Sequence, residues 1–291
     1  MSSVQDQKLA VVTGASAGIG KSTARMLAEA GWHVICVGRD AGRSAAAEQE
    51  IRAAAASDAK VEFLRGDFTE MKDVARVAAE IAERTTRLDV LINNAGGVRD
   101  KLYVTSEKLE ATFAANHLAP FLLTRELMPL LKATAASTPP GNVRVIAVSS
   151  SGHEACQGMN WDDLNMFGNF TTGGAYCQAK LANILFTREL ARRAAADSII
   201  AQSMHPGRIK SNFASHGDQA MQSYMGAMAM MSPDEPARTL VWLATAAETG
   251  RDPGRYFHDM QEVAAAPQAL DDDAARRLWD ASEAILAQIV K

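Results

Sequence analysis

Tyr176 and Lys180 stand four residues apart in the run AYCQAKLANILFTREL. That run reads as helix, and four helical residues turn through about 400° and climb about 6 Å, so a phenol and an ammonium lie on one face. Cys177, one residue on, is expected to point elsewhere. A free phenol has a pKa of about 10, too high for proton exchange at neutral pH, but a neighbouring cation favours the phenolate and lowers that value. Such a tyrosine can serve as general acid or base.

Proton chemistry of this kind needs a partner reaction, and the other end of the chain suggests one. KLAVVTG is apolar and β-branched, breaks into TGASAGIG, and runs into the helical pattern KSTARMLAEAG. This is strand, glycine turn and helix. Gly14 permits the sharp turn, Gly18 lets backbone N–H groups approach a pyrophosphate, and Gly20 lets the helix lie close on the strand, with phosphates at the helix N-terminus. The glycines fall at 14, 18 and 20 rather than in the commoner G-x-G-x-x-G spacing.

The elements that must position these groups alternate along the chain. Strands are expected near 8–13, 33–37, 61–66, 88–93, 143–149 and 199–204, with a short seventh near 255–258. Helices fill the gaps, among them one from about 41 to 57, one around 104 to 133, one around 175 to 196 and a C-terminal one from about 271. The alternation predicts an α/β fold of Rossmann type: a doubly wound parallel sheet of about seven strands with helices on both faces. Ligands in such sheets bind beyond the carboxyl ends of the strands.

At 291 residues, 47% hydrophobic and 22% charged, the chain can bury a sizeable core, and nothing marks an inner boundary, so one domain over 1–291 is expected. A net charge of −4 offers no electrostatic footprint for nucleic acid or an anionic membrane surface, so the expected partner is a small molecule. The polar MSSVQDQK carries no secretory h-region, and LAPFLLTRELMPLL is interrupted by Arg125 and Glu126 and is too short to span a bilayer. Cys36, Cys156 and Cys177 form no C-x-x-C, and reduced thiols in a cytoplasmic protein are the simplest account. No cluster has metal-ligand spacing; HEAC at 153–156 is too compressed.

The second strand ends VICVGRD. An NAD enzyme usually places a carboxylate there to hold the adenosine ribose hydroxyls, whereas this chain has Gly38 and then Arg39. A 2′-phosphate suits a guanidinium fork, so the pair favours NADP(H). The third strand ends in Gly66-Asp67-Phe68 and the fourth in Asn93-Asn94-Ala95-Gly96, small and polar where chain and cofactor would meet.

TGASAGIG, NNAG, Asn116, VSSS, YCQAK and HPG occur in the order and spacing of the short-chain dehydrogenase/reductase family, and from about residue 8 to 212 the chain resembles it. KLANILFTREL, HPGRIKS and RLWDASEAIL look most like the branch of retinol dehydrogenases and related carbonyl reductases. The resemblance implies that Tyr176 donates a proton to the substrate oxygen in reduction and accepts it in oxidation, while Lys180 lowers the phenol pKa and holds the nicotinamide ribose. One serine would orient the carbonyl and stabilise its developing charge. Ser149, Ser150 and Ser151 compete for that role, and the branch's pattern, in which a histidine follows the active serine by three, selects Ser150 ahead of His153. Asn116 matches an asparagine that bends its helix and anchors a water leading towards the lysine.

The same resemblance implies Gly14, Ser16, Gly18, Ile19 and Gly20 around the phosphates, Asp67 and Phe68 at the adenine, and Asn94, Ala95 and Gly96 at the adenosine ribose. Pro206, Gly207, Ile209 and Ser211 would hold the carboxamide side of the nicotinamide, and hydride would leave its pro-S face. Ser150 and Tyr176 are 26 residues apart, as in the branch with an inserted loop. Substrate-capping segments are expected near 152–174 and 208–232, the second rich in methionine (Met221, Met225, Met228, Met230, Met231).

The expected function is NADP(H)-dependent interconversion of a carbonyl and an alcohol on a small, apolar molecule. The alternatives are reduction of an activated carbon–carbon double bond and a non-catalytic NADP(H)-sensing protein on the same fold. Both a homodimer and a monomer occur among similar proteins, and the sequence favours neither.

Overall fold

The computed structural model describes residues 7–209, 217–219, 222–223 and 231–290. Strands β1 (Leu9–Thr13), β2 (His33–Gly38), β3 (Val61–Arg65), β4 (Val90–Asn93), β5 (Arg144–Val148), β6 (Ile200–Met204), β7 (Tyr256–His258) and β8 (Gln261–Glu262) form one sheet in the order β3-β2-β1-β4-β5-β6-β7-β8. Every pairing from β3 through to β7 is parallel, and only β8 runs antiparallel, against β7. The seven expected strands are present. The extra one is a two-residue exposed strand turned back through Asp259 and Met260, both at positive φ, and two residues are too few to show a period.

The central strands are buried end to end because helices cover both faces. The helices are α1 (Gly18–Glu29), α2 (Ala41–Ala54), α3 (Met71–Arg84), α4 (Ala111–Phe113), α5 (Ala119–Ala135), α6 (Thr172–Ala194), α7 (Asp234–Thr245) and α8 (Asp272–Ala287). Successive strand side chains go to opposite faces, so Leu9 and Val11 pack with α3, α5, α6 and α8, while Ala10 and Val12 pack with α1, α2 and α7. Burying each of the larger side chains contributes roughly 1.5–3 kcal/mol, and the sheet is thereby held as a rigid floor under its carboxyl edge.

Two helices begin elsewhere than the sequence suggests. The stretch expected as one helix from about 104 is entered only at Ala111, where the buried Glu110 carboxylate accepts from the N–H groups of Thr112 and Phe113, each at 2.7 Å; Val104 bridges Glu110 in an extended segment before it. It is then interrupted by a π-turn at Ala114–Leu118 before α5 continues. Helix α6 begins earlier than expected, at Thr172, because the Thr171 hydroxyl accepts from Gly174 N at 3.0 Å and caps a first turn whose glycines mask it in the sequence. Among the described residues no helix is long and apolar enough to cross a membrane.

Candidate active site

A cavity of about 1040 Å³ opens over the carboxyl edge of β1, β4 and β5, where the strand order reverses. The glycine turn forms one end of it. Gly14 and Gly18 have φ of +68° and +54°, values that favour glycine. A Cβ on Gly20 would lie 2.4 Å from the Gly14 carbonyl oxygen, so the start of α1 closes directly onto the end of β1. Ala17, at the N-cap of α1, has no side-chain acceptor for the first-turn N–H groups, and Ser16, Gly18 and Ile19 line the cavity beside it. An uncapped end of a twelve-residue helix facing a cavity suits a phosphate.

Beyond the turn lies a basic rim. A Cβ on Gly38 would stand 2.5 Å from Ser44 Oγ and 3.1 Å from Ser16 Cβ, so any larger side chain there would have to displace the Ser44 hydroxyl. Arg39 follows, half exposed, with its guanidinium 3.8 Å from Asp67 Oδ2. Arg43 and Arg99 also line this part of the cavity, and neither was singled out in the sequence. Arg43 is brought there by Asp40, which caps α2 by accepting from Arg43 N at 2.8 Å. Arg99 follows the fourth strand in GGVRD, a stretch without periodicity; burial, and then the field of Arg39, holds its guanidinium below the usual arginine value.

Several expected cofactor contacts are also structural. Asp67 Oδ1 accepts from Thr69 N and Oγ1 at 3.0 and 2.8 Å, and Phe68 is only 7% exposed, packed into the core with its edge on the cavity. Asn94 donates its amide to the carbonyl of Thr13 at 2.8 Å, and Thr13 Oγ1 accepts from Asn94 N and Ala95 N. The Asn94 side chain therefore ties β4 to β1, and it is the strip Asn94, Ala95 and Gly96 as a whole that borders the cavity. Asn116 lies at the centre of the π-turn and is fully buried, consistent with an asparagine that bends its helix. Its amide donates to Gly97 O at 2.8 Å and Thr112 O at 2.7 Å, and its Oδ1 accepts from Gly97 N at 3.1 Å. These bonds tie it to the strip at Gly97, and a Cβ on Gly96 would be 2.4 Å from Asn116 Oδ1 and 3.5 Å from Lys180 Nζ.

The three serines separate cleanly. Ser149 is buried and donates its hydroxyl to Lys180 O at 2.7 Å. Ser151 is exposed on the cavity wall. Ser150 is hydrogen-bonded to the Tyr176 phenol and accepts from Gly152 N at 3.0 Å. Tyr176 and Lys180 both line the cavity, with Lys180 Nζ 5.5 Å from the centre of the Tyr176 ring and donating to Val148 O at 3.0 Å.

The pKa shift of the phenol runs opposite to the expectation. Burial pushes Tyr176 up to about 12, against which the Ser150 hydrogen bond acts more weakly, and burial pushes Lys180 down to about 8. The reason is that desolvation of a phenolate outweighs an ammonium whose proton is directed at a carbonyl. At neutral pH the pair is thus a protonated phenol beside a protonated amine. Cys177 also departs from expectation, since it lines the cavity along with Tyr176, and burial raises its thiol pKa.

Pro206, Gly207 (φ +74°) and Ile209 form the opposite wall, following β6. Ser211 and Met221, Met225, Met228 and Met230 lie outside the described residues. Met231 is described: its N donates to Arg208 O at 3.0 Å, and a Cβ on Gly207 would be 2.7 Å from its methyl group. The loop expected as a cap contributes Gly152, Glu154, Ala155 and Gly173 to the cavity, from its two ends. Its middle is pinned to the body by Gln178, which accepts from Asn160 N at 2.7 Å and donates to Leu164 O at 2.9 Å, and by Trp161 beneath the Arg277 guanidinium. Among the described residues no group of three or more His, Cys, Asp or Glu side chains is arranged to hold a metal ion.

Residues 8–222 match the family model described as short chain dehydrogenase. Human retinol dehydrogenase 13 is 37% identical over 280 residues, which span 94% of this chain and 82% of that protein. Mouse retinol dehydrogenase 14 is 34% identical over 293 residues, 96% of this chain and 86% of that protein. Among solved structures, an uncharacterized protein from Mycobacterium Paratuberculosis superposes with a TM-score of 0.72 at 31% identity, covering 97% of this chain and 94% of that one. The Pseudomonas aeruginosa RhlG/NADP active-site complex does so with a TM-score of 0.68 at 26% identity, covering 86% and 93%.

Proposed function

The chain belongs to the short-chain dehydrogenase family of oxidoreductases, and within that family we propose that it is an NADP(H)-dependent enzyme interconverting a carbonyl and an alcohol on a small, apolar substrate. The observation that carries this reading is that Ser150, Tyr176 and Lys180 share one cavity with the uncapped N-terminus of α1. The names of the retinol dehydrogenases and the NADP complex of RhlG support the substrate class and the cofactor.

Gly14, Ser16, Gly18, Ile19 and Gly20 would hold the pyrophosphate, and Arg39, with Arg43 beside it, a 2′-phosphate. Asp67, Phe68 and the strip Asn94–Gly96 would border the adenosine, and Pro206, Gly207 and Ile209 the nicotinamide, with Ser211 assigned beside them by family pattern alone. When bound, the cofactor supplies or accepts hydride. The chain's own part is proton handling. In reduction the Tyr176 phenol, protonated at neutral pH, gives its proton to the substrate oxygen; the O–H bond of tyrosine breaks as the O–H bond of the product alcohol forms. The phenolate left behind is stabilised by the Lys180 ammonium nearby, and in oxidation the proton returns. Ser150 also offers its hydroxyl to the carbonyl oxygen as charge develops there. Gly152, Ala155, Gly173 and Cys177 leave room for the substrate beside Ser151 and Glu154.

The test is a panel of aldehydes, ketones, quinones and enones with NADPH and NADH side by side, with products separated by chromatography. Alcohols are expected from carbonyl substrates, and saturation of a carbon–carbon bond instead would replace this reading with the alkene-reductase one. Tyr176→Phe is expected to lower turnover by about 10²–10⁴. Undiminished turnover would remove Tyr176 from the mechanism.

A further inference from the structure

His153 is completely buried, three residues after Ser150 in the single turn of 3-10 helix at Ser151–Ala155. Its bonds run to the serine turn, to the distant segment 266–268 and, more weakly, to the Tyr256 hydroxyl on β7, 3.5 Å from ring Nδ1. Backbone N of His153 donates to Ser150 O at 3.1 Å, and ring Nδ1 meets the same carbonyl at 2.7 Å. On the far side, ring Nε2 meets Ala266 N at 3.0 Å. A backbone N–H can only donate, so Nε2 is the acceptor and carries no proton; a carbonyl can only accept, so Nδ1 carries it. The partners thus fit one tautomer, with a donor aimed at the serine's own carbonyl and an acceptor aimed at the chain beyond β8. Gln268 reinforces the junction, donating its amide to Cys156 O at 2.5 Å and to His153 O at 3.4 Å. The Tyr256 ring stands edge-on to His153 at 5.2 Å and faces His205 at 5.5 Å, next to Pro206 and Gly207, so one aromatic group braces both the serine turn and the opposite wall.

We propose that His153 is a positioning residue: its imidazole clamps the peptide of Ser150 to the segment 266–268 and thereby fixes the aim of the Ser150 hydroxyl. The hydroxyl direction follows from the backbone of residue 150, held extended at φ −160° and ψ 150°, and the one carbonyl that could swing with that backbone is bonded twice by the same histidine. Ångström-scale misplacement of a reacting group can cost about 10²-fold in rate, so such a clamp has kinetic weight. The inference rests on the proposed role of Ser150.

Two variants separate the functions of the ring. His153→Asn keeps an amide N–H near the Nδ1 position and loses the Nε2 acceptor, whereas His153→Leu loses both. With a carbonyl substrate of the wild-type enzyme, His153→Leu is expected to lower kcat by about 10- to 100-fold while the Kd for NADPH, read by fluorescence titration, stays within about twofold. His153→Asn is expected to retain most of kcat. Placed on Ser150→Ala, His153→Leu is expected to leave the residual rate nearly unchanged, because the residue it acts through is gone. The inference is overturned if His153→Leu keeps the wild-type kcat, if it slows Ser150→Ala by the same factor as the wild type, or if kcat and NADPH affinity fall together. Should His153→Leu not fold, His153→Asn is compared with His153→Gln, whose amide reaches the Nε2 position instead; Asn must be the faster, and equal rates overturn the inference. Full activity in Ser150→Ala would instead sink the serine's assignment, whereas a slow Ser150→Ala beside a fast His153→Leu sinks only the role of His153.

Discussion

Ser149 gives its hydroxyl to the carbonyl oxygen of Lys180 at 2.7 Å, which fastens the end of β5 to helix α6 at the residue that carries the ammonium. The next serine hydrogen-bonds the Tyr176 phenol. Neighbouring hydroxyls therefore have different partners, and under the proposed function one is structural and one chemical. Ser149→Ala is expected to cost about 1 kcal/mol in unfolding free energy, the worth of one buried hydrogen bond, and to change kcat only a few-fold. Ser150→Ala is expected to cost a similar amount, since its hydroxyl accepts from Gly152 N and bonds the phenol, but to lower kcat about 10²–10³-fold. Steady-state rates and denaturant melts on both variants decide it, and the reverse ranking of the two kcat values would exchange the roles.

Lys180 links stability to pH. Burial lowers its pKa from 10.5 to about 8, so below about pH 8 the amine is charged in both folded and unfolded chains and folding bears the desolvation cost in full. As pH rises from about 8 to 10.5, the folded amine loses its proton while the unfolded one keeps it, and stability is gained relative to a chain without the lysine. At about 1.4 kcal/mol per pKa unit the gain amounts to roughly 3 kcal/mol. The measurement is the difference in unfolding free energy between wild type and Lys180→Met from pH 7 to 10. Wild type should improve against the variant across that interval, and a difference that does not change with pH contradicts the assignment of the charge.

The parts of the site that could be read from the sequence are those in which chemistry depends on residues close together in the chain. Gly14, Gly18 and Gly20 show in three positions a turn whose φ values and close approaches the structure then displays, and Tyr176 and Lys180 occupy one helical face. What escaped depends on contacts between distant segments. Nothing near His153 in the sequence points to Ala266, and nothing near Arg99 points to Arg39. The bend at Asn116 was legible only through the family resemblance, because a single widened turn leaves the apolar pattern of a long helix intact. The direction of the Tyr176 shift was misread because spacing reveals a neighbouring charge but not the depth of burial that opposes it.

Gly20 gives a steric prediction. An added methyl group would stand 2.4 Å from Gly14 O and 2.5 Å from Asn94 Nδ2, and the carbonyl is backbone held by the end of β1, so it cannot step aside cheaply. Gly20→Ala is expected to destabilise the protein by about 1–3 kcal/mol and to weaken NADPH binding, because relief requires the first turn of α1 to move off the cavity. Gly173→Ala is the control, since a Cβ there meets nothing within 4 Å. Thermal melts and NADPH titrations on the two variants should differ in both quantities; an unperturbed Gly20→Ala would show that the turn is not closed as described.

Arg39 gives the cofactor prediction. Position 38 is glycine, crowded by Ser44 Oγ 2.5 Å from where a Cβ would be, so no carboxylate that would favour NADH is supplied from there. Arg39 and Arg43 instead bring two guanidinium groups to the cavity rim, and Arg39 lies only loosely against Asp67 at 3.8 Å, free to bond a phosphate in its place. A charge-assisted hydrogen bond is worth about 1.5–3 kcal/mol, or roughly 10- to 100-fold in affinity. Arg39→Ala should therefore raise the Kd for NADPH by about that factor and leave that for NADH within about twofold, and Arg39→Asp should shift preference towards NADH. The NADPH advantage of the wild type should also shrink with added salt, because both arginines are exposed at the rim. Equal losses for the two cofactors in Arg39→Ala, or equal affinities in the wild type, would place the 2′-phosphate elsewhere.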